Sequence, residues 1–99
     1  MKDTLTGKQK RFLRAMGSTM DPVIQVGKAG LVPAIVASAI DAIRARELIK
    51  VRVLTNCMEE PKDVLVMLAE RTRSDLVQVI GRNGLLYRAN PEKPKIELP

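Results

Sequence analysis

Two short stretches of the 99-residue chain have residue types and a spacing suited to gripping phosphate: Gly27-Lys28-Ala29-Gly30 and Gly81-Arg82-Asn83-Gly84. Glycine lets a backbone approach a ligand closely. The first N–H groups of a helix point outward unsatisfied, and the helix dipole adds to their pull on an anion. The first stretch lies between an apolar run (Val23, Ile24, Val26) and a segment of helical periodicity, so it has that setting. There Lys28 adds a mobile charge and Ala29 stays out of the way. A plain strand-to-helix turn accounts for the same four residues equally well. The second stretch has a local explanation. Asn83-Gly84 is the pair that a two-residue hairpin turn prefers, and Gly81 ends the strand before it, which leaves Arg82 at the tip within reach of a phosphate. The chain has no GxxxxGK[ST], because Leu31 and Val32 follow Gly30, and no GxGxxG.

Nucleophilic catalysis lacks its parts. Histidine is absent, and Cys57, the only cysteine, has no activating partner beyond the nearby carboxylates Glu59 and Glu60, whose charge disfavours a thiolate. One cysteine forms no intrachain disulfide and no Cys/His zinc site, and it is compatible with a reducing cytoplasm. Glu59, Glu60 and Asp63 have the type for a magnesium ion, but an acidic helix start, favoured by the dipole, explains them more simply. No enzyme activity, cofactor, metal or small-molecule substrate is expected.

The cations are better organised. The net charge is +6, and residues 1–55 carry all of it, with ten Lys/Arg against four Asp/Glu; residues 56–99 carry seven against seven. Such asymmetry favours an anionic partner: nucleic acid, an acidic protein or anionic lipid. A solvated charged face is the commonest alternative. Lys8, Lys10, Arg11 and Arg14 fall in one stretch with no acidic residue among them, and Lys50 and Arg52 point to one side of an alternating strand, beside Gln25 and Gln78. Phe12 and Tyr87 are the only aromatics, so nucleic-acid binding here is expected to be led by backbone and shape and to depend strongly on salt. No run approaches the roughly 18 apolar residues of a membrane span. The charged start MKDTLTGKQKRFLRAMG lacks the apolar stretch of a signal peptide. A soluble cytoplasmic domain is expected.

One core is all that this length supports, so a single domain is expected over residues 1–99, with its core at about 5–88 and an extended tail at 89–99 whose Ile96 and Leu98 can dock. Thr6 and Gln9 form a capping box for a first helix whose stripe is Leu5, Phe12, Leu13 and Met16, with Gly17 as left-handed C-cap. Val23–Val26 reads as a strand. Val32, Ile35, Val36, Ala39, Ile40 and Ile43 mark a second helix, with Arg44 and Arg46 at its negative end. Leu48–Thr55 alternates, with Ile49, Val51 and Val53 on the buried side. A third helix over Pro61–Arg73 and strands at Leu76–Ile80 and Leu85–Arg88 complete an α-β-α-β-α-β-β order. The expected fold is an α/β two-layer sandwich: a mixed four-stranded sheet with the helices on one face.

LTGKQKRFLRAMG, PVIQVGKAGL, ELIKVRV and VQVIGRNGLLYR, in that order, resemble the CRM domain family, in particular its single-domain bacterial YhbY-like members, over about Leu5 to Arg88. The resemblance implies an RNA-binding module similar in fold to the C-terminal domain of bacterial translation initiation factor three. It also implies association with ribosomal RNA of large-subunit precursors and a role in their assembly; related domains in plant organelles serve group II intron splicing. The family's GxxG loop falls on Gly27, Lys28, Ala29 and Gly30, and its often more basic loop has a second cation where Ala29 stands here. Its basic first helix falls on Lys8, Lys10, Arg11 and Arg14, its ELIKV segment on Lys50, and its IG-x-x-x-LYR segment on Arg82 and Arg88. With Arg52 from the alternating strand, these are the expected RNA-binding residues of a non-enzymatic monomer. The alternative is a basic protein-interaction module that docks on an acidic protein.

Overall fold

The computed structural model describes residues 5–99; residues 1–4, the beginning of the charged start and of the expected 1–99 domain, lie outside the described residues. Helix α1 spans Gly7–Gly17, and its expected capping box is present: Thr6 Oγ1 accepts from the Gln9 N–H at 3.1 Å and Gln9 Oε1 accepts from the Thr6 N–H at 3.0 Å. Helices α2 (Pro33–Arg46) and α3 (Pro61–Thr72) each open on a proline, where a missing N–H costs little. Strands β1 (Ile24–Val26), β2 (Leu48–Val53), β3 (Asp75–Ile80) and β4 (Asn83–Tyr87) complete the expected order.

The sheet is mixed and ordered β1-β2-β4-β3. β1 and β2 are parallel neighbours joined through α2, while β4 inserts between β2 and β3, antiparallel to both. Helices α2 and α3 cover one face, burying Ile24, Val26, Ile49, Val51, Val53 and Leu86 beneath Ala39, Ile43, Leu65 and Leu68. The α/β class and the mixed four-stranded sheet stand as expected, but one placement differs from helices on one face. α1 crosses the opposite face, where Leu13 is buried among Leu48, Val77, Leu85 and Tyr87. The reason lies in the strands. Leu48 precedes Ile49, and Leu85, Leu86 and Tyr87 run together, so one end of the sheet is apolar on both sides and needs a cover on both.

The close approach of α1 also changes the role of Gly17. It is helical, the C-cap is Ser18 in the right-handed region (φ −60°), and a Cβ on residue 17 would stand 2.4 Å from Leu85 Cδ1. Gly17 is there for contact, not for a left-handed cap. Phe12 and Met16, expected on the inner stripe, are 38% and 39% exposed.

The tail does dock. Ile96 and Leu98 pack against the α1 cluster, and the tail is held by Glu47, a fully buried residue at the end of α2 with φ +67°. Its carboxylate accepts backbone N–H groups from Asn90 (2.5 Å), Lys95 (2.7 Å) and Ile96 (2.7 Å), and its carbonyl accepts from the Arg88 N–H (2.9 Å). Several charge-assisted bonds offset the cost of burying this carboxylate.

Candidate nucleic-acid interface

α1 covers only the apolar end of its face of the sheet. Strand register defines what it leaves open: Gln25 lies opposite Arg52, Arg52 opposite Asn83, and Asn83 opposite Ile80 in one transverse row; Lys50 lies opposite Leu85, and Leu85 opposite Gln78, in the next. Arg52 and Gln25 are exposed, Lys50 and Gln78 half-buried, and Ile80 is 63% exposed. On α1, Leu13 and Gly17 face the sheet, so helical spacing places Lys10, Arg14 and Ser18 along the flank that borders this open patch. Lys8 and Arg11 lie farther out, toward solvent. None of these cations, nor Lys28, forms an ion pair with a described residue. The expected polar platform of Lys50, Arg52, Gln25 and Gln78 is thus assembled on one face, with the basic side of α1 beside it.

The Gly27–Gly30 loop leaves β1 two residues after Gln25, at the end of the sheet marked by Arg52. It closes as a turn, with the Gly30 N–H donating to Gly27 O at 3.0 Å and Gly30 at φ +72°, a conformation that a side chain strains. Lys28 and Ala29 are exposed, and α2 begins at once, with no side-chain cap on its N-terminus. The Gly30 amide is spent on the turn and does not face a ligand. A Cβ on residue 30 would stand 3.4 Å from Glu59 Oε2, so one carboxylate borders the loop.

The second glycine stretch does different work. The two-residue hairpin turn is Gly81-Arg82, flanked by the Ile80–Asn83 pair, and not Asn83-Gly84. Only Gly81 has positive φ (+57°), as a II′-like turn with glycine at its first position requires. Asn83 and Gly84 belong to β4, and a Cβ on Gly84 would stand 2.8 Å from Leu65 Cδ1 on α3. Arg82 does not stand free at the tip. Its Nε donates to Val53 O at 2.7 Å and its Nη2 to Leu54 O at 2.6 Å, which ties the hairpin to the end of β2. Leu54 and Asn56 in turn lie against Gly27, so both glycine stretches converge on the loop after β2. Arg88 lies at the other end of the sheet, with Nη1 donating to Thr72 O at 3.3 Å at the close of α3.

Asn83 and Ile80 escaped the sequence reading as members of the open face. Placing the turn two residues earlier finds them, because Ile80 and Asn83 then flank it as a pair, on the side of Lys50. Among the described residues no group of three or more His, Cys, Asp and Glu side chains is placed to hold a metal, so Glu59, Glu60 and Asp63 are not brought together; Asp63 lies in the first turn of α3. No described helix is long and apolar enough to cross a membrane.

Comparison with known proteins gives a consistent picture. The chain matches the model of the CRS1 / YhbY (CRM) domain over residues 5–88. It is 48% identical to the "Probable RNA-binding protein YqeI" of Bacillus subtilis (strain 168), over 96% of this chain and 99% of that one. It is 36% identical to the "Probable RNA-binding protein PA4753" of Pseudomonas aeruginosa, over 92% and 88% of the two chains. Among solved structures it is similar to the Staphylococcus aureus protein SAV1595, itself proposed to bind RNA, with a TM-score of 0.80 and 46% identity over 97% of this chain and all of that one.

Proposed function

We propose that this chain, which belongs to the CRS1 / YhbY (CRM) domain family, binds RNA through the basic face of α1 and the open sheet and acts, without catalysis, on ribosomal RNA in precursors of the large ribosomal subunit. One arrangement carries the reading: cations from α1 and β2 lie around an uncovered sheet patch, Lys28 stands on the loop at its Arg52 end, and none of them forms an ion pair with a described carboxylate. Such a track matches a phosphate backbone, and with one aromatic buried and the other only partly exposed it leaves little for stacking.

The roles divide by position. Gly27 and Gly30 shape a loop that presents Lys28 to a phosphate, with Ala29 keeping the approach clear. Arg52 and Lys50 continue the track across β2, and Arg14, Lys10, Arg11 and Lys8 extend it along α1. Arg82 and Arg88 serve the interface through the scaffold, since their guanidinium groups are engaged by backbone carbonyls. The names of the relatives support RNA as the ligand, and the resemblance to YhbY-like proteins supports the ribosomal step. The protein acts as a monomer in the cytoplasm. Gradient sedimentation of the tagged protein tests this: comigration with precursor large subunits and not with mature ribosomes is expected. Sedimentation apart from every ribosomal particle contradicts the ribosomal role.

A further inference from the structure

Between α1 and the open end of the sheet lies a cavity of about 290 Å³, walled by Arg14 and Ser18 on one side and by Lys50, Gln78, Ile80 and Asn83 on the other. We infer that it seats a single unstacked nucleobase of the bound RNA, an inference that rests on the RNA-binding function proposed above.

Size is the first argument. The volume lies at the lower edge of the ~300–1,000 Å³ typical of small-ligand sites, enough for one base and too little for a duplex or a protein helix. Shape follows from packing already described. Gly17 has no side chain because α1 meets Leu85 there, and the same absence keeps the cavity wall open.

The wall chemistry is the second argument. Arg14 and Lys50 put cations on opposite rims, where the phosphates flanking a turned-out base would lie. Leu85 and the exposed side of Ile80 offer apolar contact to a ring. Arginine planes stack on bases where aromatic side chains do not, and here Tyr87 is buried, while Phe12 lies on the far flank of α1.

The cavity wall also holds unspent hydrogen-bonding capacity. The Gln78 side chain bonds to no described residue, and Asn83 Oδ1 is the one buried side-chain atom among the described residues left without a partner. Buried acceptors are almost always satisfied, and this orphan belongs to a residue of the cavity wall, where a small turn of the Asn83 amide would offer it to a donor. The exocyclic amine or ring N–H of a base is such a donor, and an amide pairs with either kind of position on a Watson–Crick edge.

The test is an NMR titration, following backbone and side-chain amides, with a short single-stranded oligoribonucleotide and with an abasic oligomer of equal length that keeps sugars and phosphates. The Gln78 and Asn83 side-chain signals are expected to move with the first and not the second, while the backbone signals of Lys28 and Arg52 move with both. Gln78→Ala is expected to weaken binding of the base-bearing oligomer roughly tenfold and to leave the abasic one unchanged. Retained signal dispersion establishes its fold; Asn83→Ser is the second variant, with the same expected outcome. If Gln78 and Asn83 respond equally to both oligomers, or to neither, while Lys28 and Arg52 respond, the base site is overturned and RNA binding stands. If no signal moves with either oligomer, both fall.

Discussion

Lys28 is exposed and bonded to no described residue, so its charge is available to a ligand and idle in the fold. Lys28→Glu is therefore expected to lower RNA affinity by about an order of magnitude and to reduce the salt slope by about one, with the melting temperature unchanged. Equal affinity in a binding titration would remove the loop from the interface. Glu47 is the reverse case. Glu47→Ala strips the acceptor from three half-buried N–H groups of the tail, and a loss of about 1–3 kcal/mol in urea unfolding is expected. Arg82→Ala frees two carbonyls at the end of β2 and is expected to cost about 1–3 kcal/mol of stability, with RNA affinity of the folded protein less affected than by Lys28→Glu. Tyr87 gives the pH signature. Burial, and then the Glu47 and Asp75 carboxylates, raise its phenol above the ordinary 10.0, so the folded chain holds a proton that the unfolded chain releases. That stability is complete below pH 10 and is lost as pH rises through the folded value. Alkaline unfolding followed by circular dichroism is expected to show the loss, and Tyr87→Phe to remove this part of it.

At the scale of elements, α1 decides whether there is an open face at all. Gly17→Ala gains about 1 kcal/mol of helix propensity but drives a Cβ into Leu85, an overpacking of about 1–3 kcal/mol beneath a residue only 3% exposed. A net loss of stability is expected in thermal melts; a gain would mean that α1 does not sit tightly on β4. The start of α1 was legible in its residues because the Thr6–Gln9 box is local, closed within one turn. Its position was not, because Leu13 finds Leu48, Val77 and Leu85 across long stretches of chain, and a helical stripe does not say which face of a sheet it meets. The hairpin was misplaced by two residues for a related reason. Asn83-Gly84 satisfies turn chemistry taken alone, yet Gly84 is needed under Leu65, and Gly81 supplies the positive φ instead. Glu47 gave no signal, since an acidic residue before a strand is ordinary until its tail folds over it.

Across the whole molecule, the charge asymmetry becomes a geometric one. The basic half of the chain supplies α1, the Gly27–Gly30 loop, α2 and β2; the fold sets α1 and the outward cations of β2 around one uncovered patch opposite the α2–α3 face, with the loop at the Arg52 end of the sheet, where it enters α2. The placement of these cations was readable, because they sit on short elements of known period. What was not readable is that Arg82 and Arg88 are occupied by the scaffold, since backbone carbonyls leave no mark on side-chain patterns. The assembled track predicts RNA affinity that falls steeply with salt, in proportion to the phosphates it meets. The most direct measurement is RNA crosslinking of the tagged protein in cells, with the recovered RNA sequenced and the crosslinked peptides mapped. The expected result is ribosomal RNA joined to residues of α1, β2 and the Gly27–Gly30 loop. Recovery of an acidic protein with no RNA, or crosslinks confined to the outer faces of α2 and α3, would contradict it.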